Sequence, residues 1–343
     1  PSFSVGVGKI VGMDYTGRWQ TDSQWFVAEA DEYVIDPQAV ANNQPITPRF
    51  SFLKPQICVC TNLSYDHPDV YQNLEQTKQI FADFYHQINV GGSLIFNADC
   101  QNMQQLLLTE KLSLEKKEIK ILSYGENEET DLQLLNNKVE NKNNFGEFLF
   151  KPTQKKYQLK LSVPGKFNLY NAMAALLTVQ QMGVSFDEAI KTLADFQNTM
   201  RRFEYTGEKN GVTYLDDYAH HPHEIEQTIK AFTQWFPNKR KVVAFQPHTY
   251  SRTKQLFPGF VKALGSASEV VLLDIFPSAR EKYDSSVSSD LLVESVKKNH
   301  PDCIIANLKT IESLADYCRH QLKQGDTLIT MGAGDIYKVH QLF

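Results

Sequence analysis

The sequence predicts an α/β protein built around parallel β-sheets, and three observations indicate this class. In the second half of the chain, apolar runs of strand length alternate with segments of helical periodicity. In the first half, continuous apolar runs such as Ile57–Thr61 are typical of parallel strands buried on both faces. The length of 343 residues favours two domains. We place them at residues 1–198 and 199–343.

The first predicted domain opens with strands, of which Trp25–Ala28 and Ile57–Thr61 are expected to be buried neighbours in one sheet. The Glu-, Lys- and Asn-rich stretch 110–144 is predicted to be a solvated excursion. The full set of predicted strands is Ser2–Val7, Trp25–Ala28, Ile57–Thr61, Ser93–Asn97, Phe148–Lys151 and Tyr157–Ser162, with helices at Leu74–Ile88, Asn168–Met182 and Ser185–Phe196.

The second predicted domain repeats strand–helix units, which implies a parallel sheet with helices on both faces. Ligands of such sheets bind at the carboxyl ends of the strands, and unusual polar stretches follow the strands here at 216–221, 246–252, 274–281 and 332–335. The predicted strands are Val212–Leu215, Lys241–Phe245, Glu269–Leu273, Cys303–Ala306 and Thr327–Met331, with helices at Pro222–Trp235, Thr253–Leu264, Ser289–Lys298 and Ile311–Gln324.

Composition and charge exclude several classes of function. With 42% hydrophobic and 22% charged residues, the chain has the composition of a soluble globular protein. A net charge of −5 without long basic runs argues against a nucleic-acid or anionic-membrane surface. The five cysteines form no C-x-x-C pair, so we expect reduced thiols in a cytoplasmic protein.

The opening segment Val5–Ile10 contains Gly-Lys, as phosphate-binding loops do. The loop pattern G-x-x-x-x-G-K-[ST] requires glycine where Phe3 stands and a hydroxyl side chain where Ile10 stands. Two of the four defining positions therefore fail. The pattern predicts a strand that leads into a glycine turn.

The densest group of titratable residues is DDYAHHPHEI, Asp216–Ile225, at a predicted strand-to-helix turn. Pro222 suits the first helical position and Glu224 the positive end of the helix dipole, so part of the motif is explained by capping. A zinc site is disfavoured because His220 and His221 are adjacent and point in different directions. The motif otherwise indicates a functional loop.

FQPHTYSRT, Phe245–Thr253, places His248 and Arg252 after the next predicted strand. A guanidinium near a helix start can bind a phosphate through a fork of donors. A surface arginine is the simpler alternative, but the position at a strand's carboxyl end favours function.

Two further loops combine carboxylates with a histidine. Glu29 follows one predicted strand, and Asn62 and His67 follow the next. A carboxylate and a histidine from neighbouring strands can hold Mg²⁺ when phosphate and water complete the coordination. Either loop taken alone is also compatible with ordinary solvent exposure.

In GKFNLYNAMAA, Asn168 and Asn171 are three residues apart and share a helix face. An asparagine amide can pair with the N6/N7 edge of adenine. Simple N-capping by Asn168 is the alternative, and spacing does not decide between them.

As a set, these motifs resemble those of the Mur ligases. The matching stretches are AEADE, TN…DH, PGKFNLYNA, RRFE, DDYAHHP, FQPHTYSRT, DIFPSAREK and MGAGD. The resemblance implies a central ATPase domain with a parallel sheet and a C-terminal Rossmann-like, doubly wound domain for the incoming amino acid. It also implies that the family's phosphate loop lies just before a PSFSVG-like segment. We therefore expect this chain to begin inside the central domain, without that loop, and to be inactive alone.

The resemblance implies an ATP-dependent amide-bond ligase of peptidoglycan precursor synthesis. The motifs are most similar to those of members that join L-alanine to UDP-N-acetylmuramate through an acyl phosphate, with Mg²⁺ as metal. Members that add a whole tripeptide to the same sugar nucleotide are an alternative, which DIFPSAREK and FQPHTYSRT disfavour. A non-catalytic binding module is a further alternative.

The family's functional residues carry over to matching positions. Glu29 and His67 match the Mg²⁺ ligands, Asn168 and Asn171 the adenine contacts, and Asp274 the ribose contact. Arg252 matches the residue that reaches the outer phosphates. Tyr218 and His220 are expected to line the amino-acid pocket with His248 nearby, and Asn62 to face the sugar nucleotide. Phe167 stands where family members commonly carry His, and Thr249 stands where some members carry Arg.

Overall fold

The computed structural model describes residues 2–4, 15–36, 38–40, 42, 44–277 and 281–342. The predicted glycine turn within Val5–Ile10 lies outside the described residues. The described residues divide into two compact units, one ending at Gln197 and the other beginning at Asn198.

The first unit begins with a small sheet of three short strands, β1 (Ser2–Ser4), β2 (Gly17–Arg18) and β3 (Phe26–Ala28). Strand β1 lies in the middle, antiparallel to β2 and parallel to β3. All three residues of β3 are exposed, so the expectation of a buried strand at Trp25–Ala28 is wrong. An apolar run alone does not reveal whether other elements cover it.

A separate six-stranded sheet forms the body of the first unit. Its strands lie in chain order, parallel from β4 to β7 and antiparallel from β7 to β9. The expectation that the strands before Glu29 and His67 share one sheet is therefore wrong. The elements are β4 (Ile57–Cys60), α1 (Leu74–Tyr85), β5 (Ser93–Asn97), α2 (Gln101–Lys116), β6 (Lys120–Gly125), β7 (Leu132–Glu140), β8 (Asn143–Phe150), β9 (Lys155–Leu161), α3 (Lys166–Gln181) and α4 (Phe186–Ala194).

The stretch 110–144 is not a solvated excursion. It contains the end of α2, all of β6 and β7, and the start of β8. Most of its apolar residues are at least partly buried, among them Leu122, Tyr124 and Leu134, whereas Leu112 and Leu135 are exposed. Because these strands alternate buried and exposed positions, a polar composition hides a half-buried pattern. The predicted hairpin is confirmed as β8–β9, with longer strands.

The six-stranded sheet has an apolar core on each face. Alternate residues of one strand serve opposite cores: Leu94 packs with the thiols of β4 and with Met103 of α2, whereas Ile95 packs with Leu122 and with Leu169 of α3. Helices therefore cover both faces, and the loops at the carboxyl ends of β4 and β5 are held on a rigid base.

The second unit is a six-stranded sheet in the order β10-β11-β15-β12-β13-β14. All neighbours are parallel except β10, which is antiparallel to β11. Strands β12, β13 and β15 have the predicted bounds. The elements are β10 (Glu204–Lys209), β11 (Val212–Asp217), α5 (Pro222–Trp235), β12 (Lys241–Phe245), α6 (Tyr250–Gln255), α7 (Phe257–Leu264), β13 (Glu269–Leu273), α8 (Ser289–Asn299), β14 (Ile304–Lys309), α9 (Ile311–Gln321) and β15 (Thr327–Met331).

The helix predicted at Thr253–Leu264 is instead two helices, α6 and α7, that meet at Leu256. Pro258 occupies the first turn of α7, where its missing N–H costs no helical hydrogen bond. In one continuous helix that N–H would be required. The break leaves α6 as a short helix that carries Arg252.

Strand β15 lies between β11 and β12 although it comes last in the chain. Its insertion brings the carboxyl ends of β11, β15 and β12 side by side, and a topological switch of this kind is where parallel sheets bind ligands. The backbone connects them directly: Gly332 N–H donates to the Asp217 carbonyl at 3.2 Å, and Gln246 N–H donates to the Met331 carbonyl at 3.0 Å.

Candidate functional site

In the second unit, the motif DDYAHHP forms the turn from β11 into α5. His221 is the N-cap residue, Pro222 the first helical residue, and His221 and Glu224 form a reciprocal capping box. The predicted roles of Pro222 and Glu224 at the helix start are confirmed. The helix thereby orients the peptide segment that carries His220.

His220 is held by two acceptors. Its Nδ1 lies 2.9 Å from the Tyr218 carbonyl and 3.4 Å from a carboxylate oxygen of Glu224. Because both neighbours accept, Nδ1 of His220 carries a proton. Burial opposes ionisation of Glu224, yet His220, Arg202 and the backbone N–H groups of His220 and His221 together lower its pKa.

Asp217 is a buried carboxylate that shapes the loop from beneath. Its two oxygens accept the backbone N–H groups of Phe203 and Ala219, each at 2.8 Å. Burial raises its pKa to about 6, so the group is mostly ionised at neutral pH. The charge thereby fixes the backbone at Ala219, directly after Tyr218, and at Phe203.

The guanidinium of Arg201 lies where the loops after β11 and β15 meet. Its Cζ is 5.0 Å from the ring centre of Tyr218 and 4.4 Å from that of Tyr337, a cation–π arrangement with both rings. Its Nε donates to Asp216 at 2.8 Å, and its Nη2 donates to the Gly332 carbonyl at 2.7 Å.

The glycines of MGAGD allow β15 to approach Gln246. A Cβ on Gly332, whose φ is +142°, would lie 2.6 Å from the Gln246 carbonyl oxygen, and one on Gly334 would lie 2.5 Å from its Oε1. That Oε1 accepts the N–H groups of Asp335 and Ile336, both at 3.0 Å. Side chains are therefore excluded at both glycines by contact with Gln246.

His248 and Arg252 lie next to each other after β12. Nη1 of Arg252 is 3.4 Å from Nδ1 of His248, which assigns Nδ1 as an acceptor because a guanidinium only donates. The His248 ring stacks on Phe276 with centres 5.8 Å apart. Arg252 is buried, and the Thr249 hydroxyl accepts its backbone N–H at 3.3 Å.

Asp274 is exposed at the carboxyl end of β13. Its Oδ1 accepts from Nδ2 of Asn307 at 2.9 Å, and the same amide group donates to Asp290. Residues 278–280 of the predicted stretch 274–281 lie outside the described residues. Glu281 follows them, and its carboxylate accepts the N–H groups of Tyr250 and Ser251 at the start of α6.

In the first unit, His67 contacts two carboxylates. Its Nε2 is 3.3 Å from Glu32 and 3.8 Å from Asp66, and its ring is 4.7 Å from that of Tyr33. Glu29 follows β3 and is exposed. Within the part of the chain that the structure describes, no group of three His, Cys, Asp or Glu side chains has a geometry able to hold a metal ion.

The loops after β3 and β4 are bonded to each other. Tyr71 donates its hydroxyl to the Glu32 carbonyl, and Tyr33 donates to Asp69 at 2.8 Å. These two bonds fix Glu32 relative to His67, although their strands belong to different sheets. Packing of loops, rather than a shared sheet, brings the carboxylate and the histidine together.

Asn62 lies after β4 and is exposed. Its Oδ1 is 3.2 Å from the thiol of Cys100, the N-cap residue of α2, and its Nδ2 donates to Ser64 at 3.4 Å. The adjacent Leu63 carbonyl accepts from Asn102 at 2.9 Å. The start of α2 therefore holds the loop that presents Asn62.

Helix α3 begins at Lys166, with Gly165 as N-cap in a left-handed conformation (φ +87°). Asn168 is buried, and its Nδ2 donates to the Pro164 carbonyl at 2.8 Å. N-capping by Asn168 is therefore excluded. Its Oδ1 is 3.4 Å from Nδ2 of the exposed Asn171, so the two predicted adenine contacts lie together on α3.

Two family models match the chain. The first, described as the Mur ligase middle domain, matches residues 40–179, and the second, described as Mur ligase, glutamate ligase domain, matches residues 201–334. A UDP-N-acetylmuramate–L-alanine ligase of Clostridium tetani is 36% identical over all of the chain and 69% of the relative. The chain belongs to the Mur ligase family.

Further relatives of this Mur ligase chain carry the same name. Those of Clostridium kluyveri and Caldanaerobacter subterraneus are 35% and 36% identical over 94% of the chain. The chain spans 65–69% of the length of these curated relatives. Membership of a ligase family, predicted from the motifs, is confirmed.

Solved Mur ligase structures share the fold. A UDP-N-acetylmuramate–alanine ligase of Thermotoga maritima matches 100% of the chain and 68% of its own with a TM-score of 0.74 at 22% identity. A murein peptide ligase of Psychrobacter arcticus covers 99% of the chain and 70% of its own with a TM-score of 0.65 at 19% identity. A MurF ligase of Thermotoga maritima in complex with ADP covers 93% and 66%, with a TM-score of 0.66 at 19% identity. The predicted α/β class is confirmed.

The sequence did not indicate two sets of contacts in this Mur ligase chain, those of Arg201 and those of the segment after MGAGD. Arg201 belongs to the motif RRFE, but nothing local indicates that it contacts Tyr218. Tyr337 and His340 follow MGAGD in a segment without a recognisable motif, beyond the family match that ends at residue 334.

Among the described residues, no helix is long and apolar enough to cross a membrane.

Proposed function

We propose that this chain supplies the nucleotide-binding and amino-acid-binding parts of a ligase that joins L-alanine to UDP-N-acetylmuramate at the expense of ATP. The observation that carries the proposal is identity of 34–36% to relatives of that name over at least 94% of the chain. The arrangement of the loops after β11, β15 and β12 supports it, because they hold charged side chains in fixed orientations at one sheet edge.

On this proposal the reaction has two steps. A carboxylate oxygen of the sugar nucleotide attacks the γ-phosphorus of ATP, the bond to the β–γ bridging oxygen breaks, and ADP leaves. The amino group of L-alanine then attacks the acyl carbon, and the tetrahedral adduct releases phosphate as the amide forms. Activation is needed because a free carboxylate is a poor electrophile, and positive groups must offset the charge on the transferring phosphoryl group.

Arg252 and His248 are proposed to act on the phosphoryl group. The buried guanidinium of Arg252 is held against His248, and such a pre-oriented fork can bind two phosphoryl oxygens. His220 is proposed to serve the amino acid. With Nδ1 bound to acceptors, its Nε2 is the nitrogen placed to accept a proton from the attacking amine.

Mg²⁺ is proposed to bind Glu29 and His67, with Glu32 as a competing ligand because the structure places it against His67. Carboxylate oxygens are donors that Mg²⁺ prefers, and the ion keeps several waters and phosphate oxygens in such sites. Two protein ligands therefore suffice for Mg²⁺. This number is compatible with the finding that the described residues contain no group of three possible metal ligands. When bound, Mg²⁺ would neutralise phosphate charge during transfer.

Asn168 and Asn171 are proposed to contact the adenine and Asp274 the ribose. The position of Asn171 supports this role, because its amide is exposed while the buried Asn168 holds it in place. Asn62 is proposed to face the sugar nucleotide, and Tyr218 to line the amino-acid pocket. The exposure of Asn62 and Asp274 fits contact with ligands.

The function is tested by ADP release from the full-length protein that contains these residues. With ATP, Mg²⁺ and UDP-N-acetylmuramate present, L-alanine should produce ADP and a murein tripeptide should not. Glycine and L-serine added in the same assay would report the amino-acid preference. Release with the tripeptide alone would instead support the recycling activity, and no release with either would support a binding module.

A further inference from the structure

A chain of hydrogen bonds connects the end of the second unit to Asp216. Oγ1 of Thr330 lies 2.5 Å from Oδ1 of Asp216 and 3.2 Å from the Leu215 carbonyl. Nε2 of His340 lies 2.8 Å from the same hydroxyl. Nδ1 of His340 lies 3.3 Å from the hydroxyl of Thr206 in β10. Strands β10, β11 and β15 and the short 3₁₀ helix Ile336–Gln341, which carries His340, therefore meet in one network.

The direction of these bonds follows from the donors available. Burial raises the pKa of Asp216, whereas Arg201 and the Thr330 hydroxyl favour its ionised form. With that carboxylate and the Leu215 carbonyl as acceptors, the Thr330 hydroxyl donates its one proton to one of them. It must then accept from Nε2–H of His340. Nδ1 is consequently the acceptor of the Thr206 hydroxyl proton. His340 is the neutral Nε2–H tautomer in this arrangement.

The network ends on the charged pair that contacts Tyr218. Asp216 is buried and accepts from Arg201 at 2.8 Å, and the guanidinium of Arg201 packs on the Tyr218 ring. Tyr218 N–H donates to the Arg201 carbonyl at 2.7 Å. The His220 ring in turn lies edge-on to Tyr218, 5.2 Å between centres.

We infer that His340, acting through Thr330, Asp216 and Arg201, is a positioning residue that sets the orientation of Tyr218 and thereby the affinity for the incoming amino acid. The inference rests on the proposed function, which places Tyr218 at the amino-acid pocket. This network connects His340 to the pocket loop through hydrogen bonds and a cation–π contact, so the effect of His340 is on the orientation of Tyr218. Substitution changes the affinity for the amino acid and leaves the nucleotide sites unaffected.

The test uses Thr330→Val, which keeps the side-chain shape and removes the hydroxyl, with Thr330→Ser as the matched control that restores it. In the full-length protein, Thr330→Val should raise KM for L-alanine by about three- to tenfold, the equivalent of one lost hydrogen bond. KM for ATP and for UDP-N-acetylmuramate should not change. His340→Phe should reproduce Thr330→Val, and His340→Gln should retain most of the affinity because its amide can still donate to Thr330.

An unchanged KM for L-alanine in folded Thr330→Val and His340→Phe would overturn the inference, as would equal increases for all three substrates. A second measurement does not depend on activity. Long-range ¹⁵N–¹H NMR of the histidine rings, assigned by the signals lost in His340→Gln, should show the Nε2–H tautomer at pH 7, and the Nδ1–H tautomer would overturn it. If the wild type shows no alanine-dependent ADP release, the proposed function fails. The NMR measurement of the His340 tautomer still tests the hydrogen-bond network in that case.

Discussion

The neutral state of His340 predicts a loss of stability in mild acid. Burial and then the charge of Arg201 lower its pKa from 6.5 to about 4. The groups that face it are Thr206 of β10, the Tyr214 ring of β11 and Thr330 of β15, with Arg201 and Asp216 beyond. Because the folded-state pKa lies below the unfolded-state value, the unfolded chain binds the proton first. The contribution is fully present above pH 6.5 and is lost as the pH falls towards 4.

Between pH 7 and pH 5, a shift from 6.5 to about 4 corresponds to a loss of about 2 kcal/mol. The comparison is wild type against His340→Gln, which does not titrate, so that Asp217, whose raised pKa acts in the opposite sense, contributes equally to both. Hydrogen exchange of peptides covering Thr327–Met331 reports the free energy of opening in the second unit. A wild-type-minus-variant difference that stays constant from pH 7 to pH 5 would refute a neutral, buried His340.

Three further predictions concern single side chains. Arg252→Lys should lower kcat on the order of 100-fold with little change in ATP affinity, because a point charge cannot replace the guanidinium fork. Steady-state kinetics at saturating ATP measure kcat, and an unchanged value would contradict the role of Arg252. Glu29→Ala should raise the Mg²⁺ concentration needed for half-maximal activity, and a larger increase in Glu32→Ala would transfer the ligand role to Glu32. Gly332→Ala should lower the free energy of opening by at least about 2 kcal/mol, because of backbone strain and contact with Gln246. The control is Gly325→Ala, where φ is also disfavoured at +95° but the space around the new methyl group is open, so the loss should be smaller. Equal losses in the two variants would contradict the close approach of Gly332 to Gln246.

The amino-acid sequence was sufficient to predict the fold class, the family and the parallel strands of the second unit, but it did not reveal the antiparallel strand β10. In strands such as Lys241–Phe245, the continuous apolar run Val242–Phe245 is bounded by polar residues, and this signal is local to the chain. The first unit shows its limit. Strands β6 and β7 bury only alternate side chains within a Glu-, Lys- and Asn-rich stretch, so the composition of the stretch did not indicate strands. Which of their side chains are buried depends on packing against α3 and α2.

The candidate site divides in the same way. DDYAHHP was recognisable because its capping and its histidines lie within a few residues of each other, so local chemistry specified the turn. Glu32 beside His67, and His340 linked to Asp216, come from segments far apart in the chain. Their contacts depend on loop packing and on the insertion of β15 between β11 and β12, and no local spacing encodes either. These two contacts become visible in the folded chain because a long-range contact is set by the packing of whole elements, whereas a motif is set by neighbours in the chain.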